Sequence, residues 1–456
     1  MSLRTPPRLP PPAPGRPPTD PDVRPRRGRP PARNEILRAG RFGGLAPEDL
    51  ATRYGTPLYV YDLDVIAGQV GALRSALPPH AELAYAVKAN PSLAIVAWLG
   101  SLGLGADVAS GGELATALHA GIPPERIVMT GPGKRDAELQ AAVAAGIRAV
   151  TVESPGELGR LEAIARAAGR RQPVMLRAAV TEAARLERVR LVGHDGAGKF
   201  GMDPADLVDA TRRAVASDHL DLLGVHAFGA SNVLDANALV AHVASTGRLA
   251  RDLAALTGTT VRIVDGGGGL GIPYENHEGS LDLVTLARGL AAVHATWAAD
   301  PLLSEARLLL EPGRFLVGPA GAYLARVVDR KTMAGTNVAI LDGGVHHVLR
   351  PALVGQEHRV RSFGTATGRS VPVTVAGPLC SGLDVLAVGA VMPDPAVGDL
   401  MAVLDVGAYG FTESMPYFLS HPIPAEVVVR DGAAALIRPR LDPGEWLDRQ
   451  LVPDLA

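Results

Sequence analysis

Short apolar runs alternate with amphipathic, helix-like segments from residue 80 onward. The helix-like segments repeat Ala, Leu and Arg three and four positions apart, which is typical of helices with one buried face. The runs predicted as strands are 83–87, 104–108, 126–130, 149–152, 173–178, 222–226, 261–265 and 308–311. The segments predicted as helices include 112–120, 134–145, 156–168, 235–256 and 281–298. Eight strand–helix repeats over about 250 residues predict a (β/α)8 barrel, an α/β fold. A doubly wound sheet is the alternative, although it normally has about five to seven strands.

Polar residues recur where these predicted strands end. They are Lys88, Asp107, Glu153, Arg177, His226, the run Gly266–Gly269 and Glu311. In a closed barrel the carboxyl ends of all strands converge on one mouth, whereas in an open sheet they would be spread along an edge. The pattern therefore favours the barrel and predicts a single polar site at its mouth.

The pattern changes after residue 316, where helical periodicity fades and β-strand runs replace it. These runs are 322–329, 337–342, 370–376, 399–405 and 425–430. They predict a second, all-β domain. The predicted organisation is a Pro/Arg-rich tail over 1–34, a segment at 35–60 that joins the β-domain, the barrel over 61–315 and the C-terminal β-domain over 316–456.

Composition narrows the class of protein further. The 456 residues are 47% hydrophobic, which provides enough core for two domains. A net charge of −2 predicts no bulk attraction to nucleic acid or membranes, and no apolar run is long enough to span a bilayer. The single cysteine, Cys380, excludes an intrachain disulfide and fits a reducing cytoplasm. The tail lacks the apolar segment of a signal peptide, and we interpret it as solvated rather than polyanion-binding.

Lys88 is the first candidate for chemistry. It is one of four lysines, and it ends an apolar run that Asn90-Pro91 terminates. Desolvation favours the neutral amine and hence Schiff-base formation with an aldehyde. We therefore interpret Lys88 as catalytic rather than as a solvated surface residue.

Two other features of the predicted mouth suggest which aldehyde this would be. The run Gly266–Gly269 follows a strand and is typical of a backbone site for an anion such as phosphate. Glu311 could pair with a pyridine nitrogen and keep it protonated, unless it only forms a salt bridge to Arg314. Together these features suggest pyridoxal phosphate. A lysine-dependent aldolase barrel without a cofactor remains the alternative from these residues, and no metal site is predicted.

Ordered motifs over most of the chain match one known family. They are YGTPLYVYD (54–62), YAVKAN (85–90), DVASGGEL (107–114), KFG (199–201), DGGGGLGI (265–272), EPGR (311–314), CSGLD (380–384) and GAYGFTESMPYFLSHPIPAEVVV (407–429). From about residue 45 to the C-terminus the chain resembles the fold-type III pyridoxal-phosphate decarboxylases, the group of ornithine and diaminopimelate decarboxylases. The resemblance implies a barrel of the alanine-racemase type and a homodimer with shared active sites.

The resemblance also implies roles for individual residues. Lys88 would bind the cofactor aldehyde, Glu311 would pair with the pyridinium, and Cys380 would reach the active site from the other subunit. The residues implied around the phosphate or the substrate carboxylate are Gly267, Gly268, Gly269, Ser231, Arg314 and Tyr409. Those implied near the cofactor are Asp107, Glu113 and Arg177, each with a structural role as an equal alternative.

The departures from the family pattern bear on cofactor and substrate contacts. The family segment reads like HFHIGS, whose second histidine stacks on the cofactor ring, whereas residues 226–231 here read HAFGAS. Phe228 therefore takes the stacking position, and His226 lies two residues earlier on the same strand face with its role left open. Ser381 replaces the acidic residue that holds the distal ammonium group in diamine-forming members. Arg350 matches a substrate-binding arginine, but Val354 replaces the tyrosine four residues later.

The sequence thus predicts a pyridoxal-phosphate-dependent carboxy-lyase. The expected substrate is an L-amino acid or amino-acyl derivative with a non-basic or carrier-protein-tethered tail, in secondary metabolism. Electrons from the broken bond to the α-carboxylate would enter the cofactor ring, and Cys380 or Lys88 would guide protonation of the α-carbon. Three alternatives remain: diaminopimelate decarboxylase, an amino-acid racemase, which typically pairs the pyridine nitrogen with arginine, and a non-catalytic regulator.

Overall fold

Eight parallel strands close into a barrel in the computed structural model of the chain, which describes residues 40–180, 198–275, 277–364 and 369–453. The tail predicted over 1–34 lies outside these residues. After a first strand β1 (Leu58–Asp62), the barrel strands are β2 (Glu82–Ala86), β3 (Gly105–Val108), β4 (Ile127–Met129), β5 (Ala149–Val152), β6 (Gln172–Ala178), β7 (Leu220–Ala227), β8 (Ile263–Asp265) and β9 (Arg307–Leu310). Because β9 pairs with β2, the ring is closed, and the predicted (β/α)8 barrel is confirmed.

Helices connect and surround the barrel strands. Those of the described residues are α1 (Pro47–Tyr54), α2 (Leu63–Ser75), α3 (Leu93–Ser101), α4 (Gly111–His119), α5 (Asp136–Ala145), α6 (Pro155–Ala167), α7 (Pro204–Ala216), α8 (Ala236–Thr257), α9 (Leu283–Ala298), α10 (Arg314–Val317), α11 (Arg350–Val354) and α12 (Pro443–Leu447). Within the described ranges, no helix is both long and apolar enough to cross a membrane.

Polar caps fix where several of these helices begin. The Oγ atom of Ser110 accepts the N–H of Glu113 at the start of α4, and Ser154 does the same for Glu157 at the start of α6. Asp235 caps α8 through two backbone N–H groups. Such a cap contributes about 1 kcal/mol. Each one also ends a strand–helix loop at a defined residue, so the caps help to shape the barrel mouth.

The barrel interior is filled by one layer of buried apolar side chains, which are Ala84, Val128, Ala149, Met175, Leu223, Ile263 and Leu309. The barrel is therefore a packed core and not a channel. Polar groups such as Asp107, His226 and Asp265 come from the carboxyl ends of their strands, beyond this layer.

The remaining strands form a separate nine-stranded sheet. They are β1, β10 (Gly321–Met333), β11 (Thr336–Leu341), β12 (Val360–Ser362), β13 (Ser370–Ala376), β14 (Val385–Pro393), β15 (Leu400–Leu404), β16 (Ala425–Arg430) and β17 (Ala433–Arg438). Strand β1 lies between β10 and β16, so a segment from the N-terminal side of the barrel completes this sheet. The prediction of a β-domain after the barrel is confirmed, and its strands β12, β14 and β17 were not predicted.

The segment that carries Lys88 differs from the prediction. A strand was expected over 83–87, but β2 ends at Ala86, and Val87–Ala89 form a single 3-10 turn. The Nδ2 atom of Asn90, the residue after this turn, donates to the carbonyl oxygen of Gly407 at 3.0 Å. This hydrogen bond connects the turn to the β-domain and holds Asn90, two residues after Lys88, in place.

Candidate active site

Lys88 lies at the barrel mouth, where its Nζ atom donates to Asp107 Oδ2 at 3.1 Å. Asp107 Oδ1 accepts a hydrogen bond from the Thr130 hydroxyl. Enclosure by the surrounding protein lowers the pKa of Lys88, but the carboxylates of Asp107 and Glu311 outweigh this effect and leave the pKa raised. The expectation that desolvation keeps this amine neutral is therefore wrong for the chain without cofactor. The raised pKa favours the ammonium form of Lys88, and Asp107 is the group placed to accept its proton.

Glu311, directly after β9, forms a buried cluster with two other titratable groups. Its Oε2 atom lies 3.3 Å from Nε2 of His226, whereas its Oε1 atom and Oδ2 of Asp265 have no hydrogen-bond partner among the described residues. Burial raises the pKa of Glu311, but His226 and Lys88 overcome this and lower it to about 2. Burial and the nearby Glu311 charge raise the pKa of Asp265. Glu311 is thus an anion with one oxygen still available.

The glycine run packs against the strands beside it. Gly267 and Gly269 have φ of +62° and +88°, a backbone region that favours glycine. A Cβ on Gly268 would lie 2.5 Å from the carbonyl oxygen of Glu311, and one on Gly269 equally close to that of Ala230. The Phe228 ring would contact both added atoms at 3.8 and 3.7 Å. A Cβ at Gly268 or Gly269 would clash with a backbone carbonyl oxygen, so packing alone already requires these two glycines.

Tyr409 of the β-domain reaches the barrel mouth beside Arg314. Its N–H donates to the carbonyl oxygen of Ala89 at 2.8 Å, although its φ of +53° is unfavourable for a bulky residue. The Arg314 guanidinium lies 4.6 Å from the centre of the Tyr409 ring and donates to the Tyr274 hydroxyl at 2.7 Å. A fixed positive charge therefore lies close to Lys88.

Most residues expected at the site meet in one cavity. Its lining includes Lys88, Phe228, Ser231, Gly268, Gly269, Glu311, Arg314 and Tyr409. Three more, Asp107, His226 and Gly267, contact this lining from behind. The structure thus places Phe228 in the cavity, and it gives His226 a different position, against Glu311.

Arg177 and Glu113 lie outside this cavity and contact neighbouring loops. Arg177 donates to Glu153 Oε1 at 2.8 Å and stacks on Phe200 at 4.8 Å. Glu153 also accepts the backbone N–H of Gly201. Glu113 accepts the N–H of Ala109 at 2.7 Å. Both charged side chains shape the loops around the mouth and do not line the cavity.

Cys380 and Ser381 lie on the loop between β13 and β14, and neither lines the Lys88 cavity of the same chain. Cys380 is exposed. Asp384 fixes this loop, since its carboxylate accepts the backbone N–H groups of Leu379 and Val345, both at 2.7 Å. Asp384 therefore has a structural role in this loop.

Sequence reasoning named Arg350 but missed the residues that contact it behind Tyr409. Arg350, at the start of α11, donates to Glu413 Oε2 at 2.5 Å and lies 5.1 Å from the Tyr409 ring. Its Nε atom donates to Gln356, whose amide nitrogen in turn donates to Nε2 of His358. Glu413 lies within the quoted motif GAYGFTESMP, but nothing in the sequence pattern connects it to Arg350.

The chemistry of the residues that line the cavity suits pyridoxal phosphate. Glu311 Oε1 is a buried carboxylate oxygen without a partner, as a protonated pyridine nitrogen requires. Phe228 offers an aromatic face, Lys88 an amine, and Arg314 a positive charge. A metal ion at His226, Asp265 and Glu311 fits less well, although their ligand atoms lie within 4.8 Å of one another. It would have to displace the contact between His226 Nε2 and Glu311 Oε2.

Comparisons with known proteins agree with this chemistry. A family model described as "Pyridoxal-dependent decarboxylase, pyridoxal binding domain" matches residues 63–318. The chain is 33% identical over 398 residues to an L-glutamyl-[BtrI acyl-carrier protein] decarboxylase of Niallia circulans, covering 85% of this chain and 92% of that protein. It is 34% identical over 400 residues to a diaminopimelate decarboxylase of Aquifex aeolicus, covering 87% and 92%. The crystal structure of the Helicobacter pylori diaminopimelate decarboxylase with L-lysine superposes with a TM-score of 0.80 at 30% identity, covering 88% and 98%.

The fold and the cavity define a pyridoxal-phosphate-dependent lyase. The chain belongs to the pyridoxal-dependent decarboxylases of fold type III, the family of ornithine and diaminopimelate decarboxylases. Its cofactor is pyridoxal phosphate, and its reaction is that of a carboxy-lyase. When bound, this cofactor supplies an electron sink for the pair released as the bond to the α-carboxylate breaks.

The residues around the cavity would have separate tasks in such a reaction. Lys88 would supply the amine that holds the cofactor, and Asp107 is placed to take up the proton that the Lys88 ammonium would lose. Glu311 would present its free oxygen, while His226 contacts the other oxygen and favours the anionic carboxylate. Arg314, which lies over the Tyr409 ring, would supply positive charge for an anionic group. Phe228 would cover one face of the cavity.

Acid is expected to destabilise the protein through His358. Burial, together with nearby Arg350, lowers the pKa of His358 to about 4 despite its hydrogen bond to the carbonyl oxygen of Leu404. Between pH 6.5 and 4 the unfolded histidine binds a proton that the folded one does not, so the stability that His358 contributes is lost as the pH falls through this window. The loss is about 3 kcal/mol. Urea unfolding measured at pH 7 and at pH 4 gives the free energy of unfolding at each pH. The decrease in this free energy between pH 7 and pH 4 should be smaller in His358→Gln than in the wild type.

The exposed His119 provides the matched control for this measurement. His119→Gln should keep the full pH dependence of the wild-type protein. An equal slope in His358→Gln and in the wild type would show that His358 does not carry the effect.

Proposed function

We propose that the protein decarboxylates an L-amino acid or amino-acyl derivative whose tail is non-basic or tethered to a carrier protein, as a cytoplasmic homodimer in secondary metabolism. The bond between Cα and the α-carboxylate breaks, carbon dioxide leaves, and Cα takes up a proton. The feature that supports this substrate class is Ser381, which replaces the acidic residue that the resemblance to diamine-forming decarboxylases implies as the partner of a basic tail. Its hydroxyl accepts the N–H of Leu383 at 3.2 Å, so it serves its own loop.

Relatives of both substrate types support the decarboxylase assignment about equally. The carrier-linked glutamyl decarboxylase is 33% identical and the diaminopimelate decarboxylase of Aquifex aeolicus 34% identical. Identity therefore does not choose between them, and the choice depends on individual residues.

Diaminopimelate is the second candidate substrate. In its favour, the chain keeps Arg350, and several of the similar proteins are diaminopimelate decarboxylases. Against it, Ser381 carries no charge, and Val354 lacks the hydroxyl group of the tyrosine that it replaces. An unpaired buried ammonium tail would cost about 2–5 kcal/mol.

Release of carbon dioxide tests the proposal. The purified holoenzyme is given free L-amino acids, including meso-diaminopimelate, L-ornithine and L-glutamate, and carrier-protein-loaded aminoacyl groups. We expect turnover of a substrate with a neutral or tethered tail, and kcat/KM for meso-diaminopimelate and L-ornithine lower by about 10²-fold, from the missing counter-charge. Efficient turnover of meso-diaminopimelate would instead assign the protein to lysine biosynthesis.

Adding an acidic group at position 381 should shift selectivity toward basic tails. In Ser381→Glu the new carboxylate supplies the missing counter-charge, so kcat/KM for L-ornithine should rise by about tenfold relative to the tethered substrate. Ser304→Glu adds the same charge on an exposed loop and should leave the ratio unchanged. An unchanged ratio in a folded Ser381→Glu holoenzyme would show that position 381 does not face the substrate tail.

A further inference from the structure

Arg350 already has an anionic partner in its own chain. It is buried, and its Nη1 atom donates to Glu413 Oε2 at 2.5 Å. Its Nε atom donates to Gln356 Oε1 at 3.3 Å, and its guanidinium lies 5.1 Å from the centre of the Tyr409 ring. The arginine that could bind a charged substrate tail is thus held on several sides.

Glu413 is placed between this buried arginine and solvent. Its side chain is 32% exposed, whereas that of Arg350 is 4% exposed. The Tyr409 ring contacts both this pair and Arg314, since the guanidinium groups of Arg314 and Arg350 lie 4.6 and 5.1 Å from its ring centre. Because Tyr409 also lines the Lys88 cavity, the Arg350–Glu413 pair lies one aromatic ring away from that cavity.

A charged tail that reached this pair would have to break it. A carboxylate would compete with Glu413 for Arg350, and two anions would then share one guanidinium. An ammonium group would have to draw Glu413 away and leave Arg350 buried without a counter-charge, which is strongly unfavourable. A neutral tail imposes neither cost.

We propose that Glu413 is a specificity-determining residue, which neutralises Arg350 and thereby selects substrates whose tail ends in a neutral group such as an amide or a thioester. This inference rests on the proposed decarboxylase function and narrows its substrate class, since it excludes a free distal carboxylate as well as a free ammonium group. A carrier-bound aminoacyl thioester has such a neutral end.

Three amino acid probes, which differ in the charge of their tail, are compared in a carbon dioxide release assay. L-Glutamate ends in a carboxylate, its γ-thioester with N-acetylcysteamine is neutral, and L-ornithine ends in an ammonium group. The enzymes compared are the wild type, Glu413→Gln, Glu413→Asp and Glu305→Gln. Glu413→Gln removes the charge that neutralises Arg350, Glu413→Asp keeps it, and Glu305→Gln makes the same chemical change at an exposed position beyond the cavity.

The expected result is a change in selectivity and not only in rate. In Glu413→Gln the ratio of kcat/KM for L-glutamate to that for the thioester should rise by about tenfold or more, because Arg350 is free to accept a carboxylate. The ratio for L-ornithine should not rise. Glu413→Asp and Glu305→Gln should keep the wild-type ratios, and an unchanged glutamate ratio in folded Glu413→Gln would overturn the inference.

A binding measurement keeps the test independent of turnover. Dissociation constants of 4-aminobutyrate and of 4-aminobutyramide, the acid and amide forms of one amine, are measured from the absorbance of the bound cofactor. Glu413→Gln should strengthen binding of the acid about tenfold relative to the amide. If L-ornithine is a good substrate of the wild type and loses its turnover in Glu413→Gln, Glu413 binds a basic tail and the inference is wrong. If no substrate releases carbon dioxide but the acid-to-amide ratio shifts, the proposed function fails while the role of Glu413 stands.

Discussion

Replacing Lys88 with alanine is expected to remove the covalent attachment of the cofactor and to reduce carbon dioxide release by about 10³-fold or more. Lys88 is the lysine that lines the cavity, with Asp107 placed to take its proton. The purified wild-type protein should be yellow, and borohydride should fix the cofactor to the Lys88 peptide, as detected by mass spectrometry. The variant should show no such modified peptide.

The other three lysines lack this setting and provide the controls. Lys134 is buried and donates to Glu157 at 2.6 Å, which occupies its amine in a structural ion pair. Lys199 lies 5.0 Å from the Phe200 ring, and Lys331 is exposed on β10. Lys331→Ala should therefore retain colour, the Lys88 adduct and activity. A borohydride-reducible adduct at Lys134 or Lys199 in the Lys88→Ala variant would refute the central assignment.

The barrel and much of its mouth could be predicted because the relevant signals are local. Alternation along the chain marks each strand, and a polar residue directly after a strand must lie at the carboxyl end of the barrel. This reasoning led to Lys88, Asp107 and Glu311, which the structure places within one connected set of contacts. The family motifs added Ser231 and Tyr409, whose positions in the cavity depend on loops and on the second domain.

What the sequence did not predict depends on contacts between distant segments. The charge state of Lys88 follows from two carboxylates on other strands, and these overcome the desolvation that sequence reasoning took as decisive. His226 lies on β7 and Phe228 directly follows that strand, yet His226 contacts Glu311 and Phe228 lines the cavity. This difference depends on Glu311 directly after β9, which is distant from both residues in the sequence. Glu413 and Arg350 are likewise 63 residues apart, and no periodicity connects them.

Within a single chain, Cys380 does not line the cavity that contains Lys88, so its implied role in the active site is not explained there. Cys380 is exposed on the loop after β13, and Asp384 fixes that loop by accepting the N–H of Leu379. Among the described residues, the cavity that contains Lys88 is lined without Cys380 or Ser381. A catalytic Cys380 must therefore act in the cavity of another chain. A two-fold dimer provides this arrangement, because one interface then builds two identical shared sites.

Mixing two inactive variants tests fold, site and assembly together. Lys88→Ala and Cys380→Ala homodimers should each be severely impaired, since every site lacks one of the two groups. After subunit exchange, half of the dimers are hybrids, and each hybrid has one site with both residues intact and one with neither. Carbon dioxide release should therefore recover to about one quarter of the wild-type value. Subunit exchange is followed separately with two affinity tags. A mixture of Lys88→Ala with Lys331→Ala subunits serves as the control, because it measures the activity of hybrid dimers in which one protomer is intact. If tagged hybrids form and the mixture stays inactive, Cys380 does not complete the site of the partner chain.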